Sequence, residues 1–277
     1  MIELGKINKL EVFRASPHGM YLMDNEGEEV LLPNKYVPAD IQIDDDIEVF
    51  VYLDSEERPV ATTLTPKVML NGFAALKVSD VNHVGAFMDW GLEKQLFVPF
   101  REQKGRMKVG EKHMIYMYLD EETDRLVGTS KYKKHLSNET LSVKEGQEVE
   151  LLIGETTPLG HTAIVNQKHI GLIYKNEVFR KLAMGTKTKG FIKKIREDNK
   201  IDLSLQAIGY AKVEPNSEKI LEKLKWNNGY IRLNDKSEPA EIMEVFQMSK
   251  KTFKKAVGSL YKQRLIVIEN HGIRLLE

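Results

Sequence analysis

Apolar and polar side chains alternate with a period of two along several short stretches of the chain. Around residue 87 two series of residues alternate along the chain. One series is Val84, Ala86, Met88 and Trp90, and the other is Gly85, Phe87 and Asp89. Similar runs occupy residues 48–53 and 115–119. Because successive side chains of a β-strand point to opposite faces, these runs predict strands with one inward and one outward series. In the first of the two runs, Phe50 and Tyr52 belong to the outward series.

The strand pattern recurs three times, and each copy contains a glycine from which the same spacings can be counted. The glycines are Gly19, Gly85 and Gly160, and 14 residues after each of them an apolar run ends, at Pro33, Pro99 and Tyr174. After 21 more residues the units reach Asp54, Asp120 and Ile195, and a polar turn and a further strand follow. Each unit has roughly 65 residues. That length is too short for two packed sheets, so a small closed barrel is predicted for each unit.

The C-terminal part of the chain changes from a period of two to helical spacing. Apolar residues recur at helical intervals in 217–226 and 238–246, and Ser249 is a suitable N-cap for a third helix. The apolar stripe of that helix consists of Phe253, Ala256, Val257 and Leu260. A hairpin is then predicted from 265–268 to 273–276 through the turn at 270–272. Two helices joined by a tight turn and followed by a hairpin are typical of a winged helix-turn-helix domain.

The sequence therefore predicts a mainly β, multidomain protein with three tandem barrels and a C-terminal winged helix-turn-helix domain. The predicted boundaries are 1–66, 67–135, 144–208 and 214–277.

Charge is distributed unevenly over these predicted domains, although the 41 basic and 41 acidic residues of the 277-residue chain cancel. Residues 1–66 contain 5 basic and 14 acidic side chains, whereas 67–135, 136–213 and 214–277 each contain 12 basic and 9 acidic ones. The chain has no cysteine and no apolar stretch of about 18 residues, so a cytoplasmic protein without disulfides or membrane contact is expected. Nucleic acid remains a plausible partner for the basic parts.

Aromatic and basic residues recur at equivalent places in the repeats. Tyr21 and Phe87 lie two residues after a repeat glycine, and Tyr174 ends the neighbouring strand of the third unit. The following polar turns carry Arg58, Arg125 and Lys200. Aromatic faces stack on unpaired bases while cations attract phosphates, so these residues are candidate RNA ligands. The alternative for Tyr21 and Phe87 is half-buried packing.

Two further basic groups are candidates for phosphate contacts. Lys193 and Lys194 lie on a predicted strand, and the third helix carries lysines on its outer face: Lys251, Lys254, Lys255 and Lys262. An ordinary solvated surface is the alternative in both cases. Few Asn, Gln or Arg residues accompany the helical lysines, which disfavours sequence-specific DNA recognition.

Catalytic and metal-binding patterns are weak in this sequence. The seven histidines form no pair at i, i+4, and 44–46 is a run of aspartates in a predicted turn. No phosphate-binding glycine loop or nucleophile elbow is present. We expect no catalytic residue, no metal site and no cofactor.

The repeats resemble the S1 RNA-binding domain, an OB-fold barrel, at 85–88, 171–174 and 200–204. Three such units before a winged helix resemble the conserved virulence factor B family of bacterial RNA-binding proteins. The resemblance implies three S1-type barrels that contribute RNA-binding residues from strand faces and turns: His18, Tyr21, Asp54 and Arg58; Phe87, Asp120 and Arg125; and Tyr174 and Lys200. No unit has the full aromatic set, because Val84, Leu159 and Thr162 occupy some of its positions.

A non-catalytic protein that binds single-stranded RNA with low sequence preference is therefore expected, with a post-transcriptional role in gene expression. Two alternatives remain open: a DNA-binding transcriptional regulator that acts through the winged helix, and an interaction scaffold on a ribonucleoprotein. The acidic first unit is expected to be a poor phosphate binder. It is interpreted as a spacer, a partner dock or an internal electrostatic competitor, so that deletion of residues 1–66 should leave RNA affinity unchanged or improve it.

Overall fold

The computed structural model describes residues 1–178, 181–206 and 215–276. Contacts between residues divide the chain into two compact units. The first comprises Met1–Val143, Val149–Lys189 and Ile195–Asp202, and the second comprises Lys144–Glu148, Gly190–Lys194 and Leu203–Glu277. The predicted boundaries at 208 and 214 lie outside the described residues, and the domain boundaries as a whole stay predictions.

Residues near the N-terminus form a closed five-stranded barrel, barrel 1. Its strands are β1 (Ile7–Ser16), β2 (Gly19–Met23), β3 (Glu29–Pro33), β4 (Asp46–Leu53) and β5 (Pro59–Thr62). They are arranged in the order β1-β2-β3-β5-β4, and pairing of β1 with β4 closes the barrel. Strands β3 and β5 are parallel, whereas the other neighbours run antiparallel.

Barrels 2 and 3 repeat this strand order, so the described residues contain three closed barrels of the OB type. Barrel 2 consists of β6 (Phe73–Val81), β7 (Gly85–Asp89), β8 (Leu96–Pro99), β9 (Lys112–Asp120) and β10 (Arg125–Thr129). Barrel 3 consists of β11 (Glu148–Thr156), β12 (Gly160–Val165), β13 (His169–Tyr174), β14 (Lys187–Ile195) and β15 (Ile201–Ser204). The mainly β, multidomain fold and the triplication predicted from sequence are confirmed.

The repeat glycines have a steric role at the second strand of each barrel. The strand registers pair them with the residues that lie 14 positions later: Gly19 with Pro33, Gly85 with Pro99, and Gly160 with Tyr174. A Cβ atom on any of these glycines would overlap a backbone carbonyl of the neighbouring strand. The constant spacing of 14 residues is therefore the register of one hairpin in which two backbones approach closely.

Barrels 1 and 2 share a hydrophobic core, which buries the outward side chains of β4. Phe50 and Tyr52 are buried, as are Val49 and Val51, so both faces of this strand are covered. The ring of Phe50 meets that of Trp90 edge-on at 5.7 Å, and Tyr52 does so at 6.2 Å. Phe50 and Tyr52 therefore point outward from barrel 1, but barrel 2 covers that side and buries them. In the run around residue 87, Val84 is exposed before β7 begins, whereas Ala86, Met88 and Trp90 are buried as predicted.

Barrels 2 and 3 are joined by apolar and polar contacts in the first compact unit. Phe73 and Tyr132 of barrel 2 pack with Leu152 and Ile164 of barrel 3 in one buried cluster. The backbone N–H of Phe73 donates to the side-chain oxygen of Gln167 at 2.8 Å. Glu155 of barrel 3 also accepts from Lys104 and Lys133 of barrel 2, at 3.1 and 3.2 Å.

The C-terminal region has the predicted winged-helix arrangement. It consists of α1 (Pro215–Trp226), β16 (Tyr230–Ile231), α2 (Pro239–Phe246), α3 (Lys250–Lys262), β17 (Ile266–Glu269) and β18 (Gly272–Leu275). The Ser249 hydroxyl caps α3 by accepting from the N–H of Thr252 at 3.1 Å. Strand β16, which was not predicted, has only two residues and therefore shows no period; it pairs with β18. None of the helices in the described ranges is long and apolar enough to cross a membrane.

Candidate nucleic-acid interface

An aromatic pair of barrel 2 lines an open cleft of about 510 Å³. Phe87 on β7 and Phe97 on β8 are cross-strand partners, with ring centroids 5.2 Å apart and planes tilted by 36°. Both side chains are half-buried, so packing holds the rings in place while part of each remains accessible. Aromatic rings in this state can stack on an unpaired base.

The walls of this cleft come from barrels 1 and 2 together. Barrel 1 contributes the end of β4 and the following turn: Tyr52, Leu53, Ser55 and Glu57. Barrel 2 contributes Phe87, the 93–97 segment and the start of β10, including Arg125. The cleft is therefore not a property of one isolated barrel.

Both cations that line this cleft are bound to the acidic turn of barrel 1. Arg125 forms an ion pair with Glu57, and the ammonium of Lys94 donates to the backbone oxygen of Asp54 at 2.6 Å. Burial lowers the pKa of Lys94, because desolvation disfavours the ammonium form. A third contact between these barrels pairs Lys35 with Glu93.

In barrel 1, the predicted aromatic is covered by a cation that the sequence analysis missed. The guanidinium carbon of Arg14 lies 3.7 Å from the centroid of the half-buried Tyr21 ring, and Arg14 also pairs with Glu29 at 2.7 Å. His18 is exposed immediately before the repeat glycine.

The predicted cation of barrel 1, Arg58, lies in the β4–β5 turn and is bound to carboxylates of the same turn. It donates through Nε and Nη2 to Asp54, at 3.0 and 2.8 Å, and pairs with Glu56 at 2.9 Å. Burial alone would raise the pKa of Asp54, but the hydrogen bonds from Arg58 outweigh it and leave that pKa below its usual value. Asp54 therefore stays ionised and holds Arg58 in the turn.

In barrel 3, the cation next to the aromatic is also different from the predicted one. Arg196 donates to the Tyr174 hydroxyl, its guanidinium carbon lies 5.9 Å from the ring centroid, and Asp202 pairs with it at 3.0 Å. Lys200 instead pairs with Asp198 in the turn at 2.6 Å. The structure thus brings together Tyr174 and Arg196.

The remaining predicted cations lie on exposed surfaces. Lys193 and Lys194 are exposed on β14. On α3, the buried stripe contains the four predicted apolar residues, and the predicted lysines are exposed away from it: Lys251, Lys254, Lys255 and Lys262. The amphipathic character of α3 is confirmed, and the role of its lysines stays a prediction.

Phe97 is the residue of this interface that the sequence could have revealed. The antiparallel register that pairs Gly85 with Pro99 also pairs Phe87 with Phe97, which lie two residues later on β7 and two residues earlier on β8. Arg14 and Arg196 carried no comparable signal, because they stand at different repeat positions.

Comparison with known proteins identifies both kinds of domain. Residues 4–64 match the model of the S1 domain, and residues 218–275 match that of the CvfB-like winged helix domain. S1 and winged-helix domains are nucleic-acid-binding modules and are not typical enzyme families. The matches therefore favour a nucleic-acid partner for this chain.

Several known proteins align with this chain over most of its length. The chain is 28% identical to the uncharacterized protein YitL of Bacillus subtilis, with 94% of this chain and 90% of the relative covered. It is 24% identical to conserved virulence factor B of Staphylococcus saprophyticus, with 99% and 95% covered. A crystal structure of a Streptococcus pneumoniae multidomain protein with nucleic acid binding domains is 23% identical, covers 99% of this chain and 98% of its own, and has a TM-score of 0.48. The resemblance seen in the sequence is confirmed: the chain is a relative of the conserved virulence factor B proteins, with an S1 domain and a CvfB-like winged helix.

Proposed function

We propose that the protein is a non-catalytic RNA-binding protein that recognises single-stranded RNA with little sequence preference. The observation that carries the proposal is the cleft in which the Phe87 and Phe97 rings lie beside Arg125. An unpaired base stacked on such rings gains about 1–3 kcal/mol, and every base offers an aromatic face. A duplex keeps its bases stacked on one another, so single strands are favoured.

The other barrels support the same kind of contact with different surfaces. Tyr21 and Tyr174 each have a guanidinium beside the ring, from Arg14 and Arg196. Bases stack on guanidinium planes as well as on aromatic rings, and the same cations attract phosphates. Each surface on its own is small, so useful affinity requires several linked sites that raise one another's effective concentration.

The winged helix is proposed to add phosphate contacts rather than base recognition. Its exposed α3 face presents lysines, which act as point charges, whereas base-edge recognition uses planar amide or guanidinium groups. This arrangement supports electrostatic binding that falls with salt. A cytoplasmic role in post-transcriptional regulation belongs to the same proposal.

Titration of the full chain with a labelled single-stranded RNA oligomer at low and high salt tests the proposal, with duplex DNA of equal length as the comparison. We expect RNA to bind more tightly than the duplex, with affinity falling steeply as salt rises. Affinity that is insensitive to salt would contradict the role of the cations. Tighter binding to duplex DNA that Lys254→Gln abolishes would favour DNA regulation through the winged helix instead.

A further inference from the structure

The two half-exposed groups of the Arg125–Glu57 ion pair belong to different barrels. Their side chains are 51% and 47% exposed, so water screens the pair and its two members can separate at low cost. A phosphate oxygen bonds a guanidinium in the same geometry as a carboxylate does. Glu57 therefore occupies Arg125 in the way that a phosphate of bound RNA would.

The turn that carries Glu57 is held against barrel 2 by contacts that do not involve this ion pair. The Lys94 ammonium donates to the Asp54 backbone, and Tyr52 packs edge-on against Trp90 in the shared core. Loss of the Arg125–Glu57 pair therefore leaves the turn in place. The carboxylate stays at the cleft whether or not Arg125 is bound to it.

We propose that barrels 1 and 2 form one composite nucleotide site in which Glu57 holds Arg125 until an RNA phosphate displaces it. The base stacks on Phe87 and Phe97, its phosphate takes Arg125, and Glu57 sets the affinity by competing for that cation. This inference rests on the proposed RNA-binding function. It gives one acidic residue of the 1–66 segment, Glu57, a specific role as a competitor of phosphate.

Glu57→Gln removes the competing charge and keeps the shape of the side chain. We expect RNA affinity to rise about two- to five-fold at low salt, because the free energy of an exposed ion pair is equivalent to a change of that size in affinity. The gain should shrink at high salt, because screening already weakens the competitor. Fluorescence anisotropy with a labelled single-stranded oligouridine measures both effects.

Glu56→Gln is the matched control, because it removes the same charge from the neighbouring position. Glu56 pairs with Arg58 in barrel 1, and Arg58 keeps its two hydrogen bonds to Asp54. We expect no comparable gain from this variant. An equal gain in both variants would overturn the inference, since it would reflect net charge alone.

Arg125→Gln completes a double-mutant cycle. In that background Glu57→Gln should produce no gain, because the cation for which Glu57 competes is gone. A gain that persists without Arg125 would overturn the inference while leaving RNA binding intact. Failure of the wild-type chain to bind the oligomer at any salt concentration would overturn both the inference and the proposed function.

Discussion

Barrels 2 and 3 each present aromatic side chains with a nearby arginine, but in two different electrostatic settings. In barrel 3, Tyr174, Arg196 and Asp202 all belong to one barrel, and the cation is held by a carboxylate of its own domain. In barrel 2, the Arg125 guanidinium is held by Glu57 of the neighbouring barrel. Repetition of a fold therefore does not repeat the binding site, because the carboxylates near each barrel determine how available its cation is to a phosphate.

Shared packing produces this difference. The rings of Phe50 and Tyr52 bury against Trp90, and this contact brings the acidic turn of barrel 1 to the cleft of barrel 2. Separation of the chain after residue 66 would expose this apolar surface to water. The predicted effect of deleting residues 1–66 would then combine loss of a competitor with damage to barrel 2, so single substitutions give a cleaner comparison.

The largest expected effect is on stability, from Trp90→Ala. The indole is 2% exposed and lies in the core shared by barrels 1 and 2. Removal of a buried Trp costs about 3–5 kcal/mol, so the free energy of unfolding of these two barrels should fall by that amount. Urea unfolding followed by far-ultraviolet circular dichroism measures the loss.

Trp226→Ala is the control for this prediction, because the second tryptophan of the chain is 88% exposed on α1. Its substitution should change the unfolding free energy by about 0.5 kcal/mol or less. Similar losses in the two variants would contradict the shared core as the element that joins barrels 1 and 2.

The barrels were predictable from sequence, whereas their mutual packing was not. Glycine spacing, period-two runs and turn residues are local signals, and all three barrels follow from them. Phe50 and Tyr52 lie on the outer face of a small barrel, where an apolar residue can face solvent or a partner. The sequence contains no local feature that distinguishes these two cases, since the partner surface around Trp90 lies some forty residues away.

The second prediction compares the aromatic groups of barrels 2 and 3 by their effect on RNA affinity. Phe87→Ala removes a stacking surface worth about 1–3 kcal/mol, so the dissociation constant should rise by roughly five- to 150-fold. Tyr174→Ala should cost less, because it also releases Arg196 from the tyrosine hydroxyl for contact with phosphate. Anisotropy titrations with one RNA oligomer give both values.

Phe13→Ala controls for the loss of any exposed phenylalanine, since Phe13 is 41% exposed on β1. We expect little change in affinity from it. A loss from Tyr174→Ala equal to or larger than that from Phe87→Ala would contradict the division between the two barrels and would place the principal base contact on barrel 3.

The site itself was only partly predictable, and barrel 3 shows why. The sequence predicts Tyr174 as a ligand because it ends a strand at the repeat spacing. It predicts Lys200 as the accompanying cation because Lys200 also occupies a position that recurs in the repeats. The structure brings Arg196 to the ring instead, since Asp202 on β15 orients its guanidinium. Which of two nearby cations reaches a ring depends on such side-chain partners, and spacing along the chain does not contain them.

The prediction with the smallest expected effect compares substitutions of Arg196 and Lys200. Arg196→Gln should lower RNA affinity and reduce the slope of log affinity against log salt by about 0.7, as expected for one lost phosphate contact on a single strand. Lys200→Gln removes the same charge, yet its effect should be smaller, because Asp198 in the same turn already binds that ammonium. Titrations at four salt concentrations provide both slopes. If Lys200→Gln changes the slope as much as Arg196→Gln does, the repeat position rather than the local ion pair determines the phosphate contact in barrel 3.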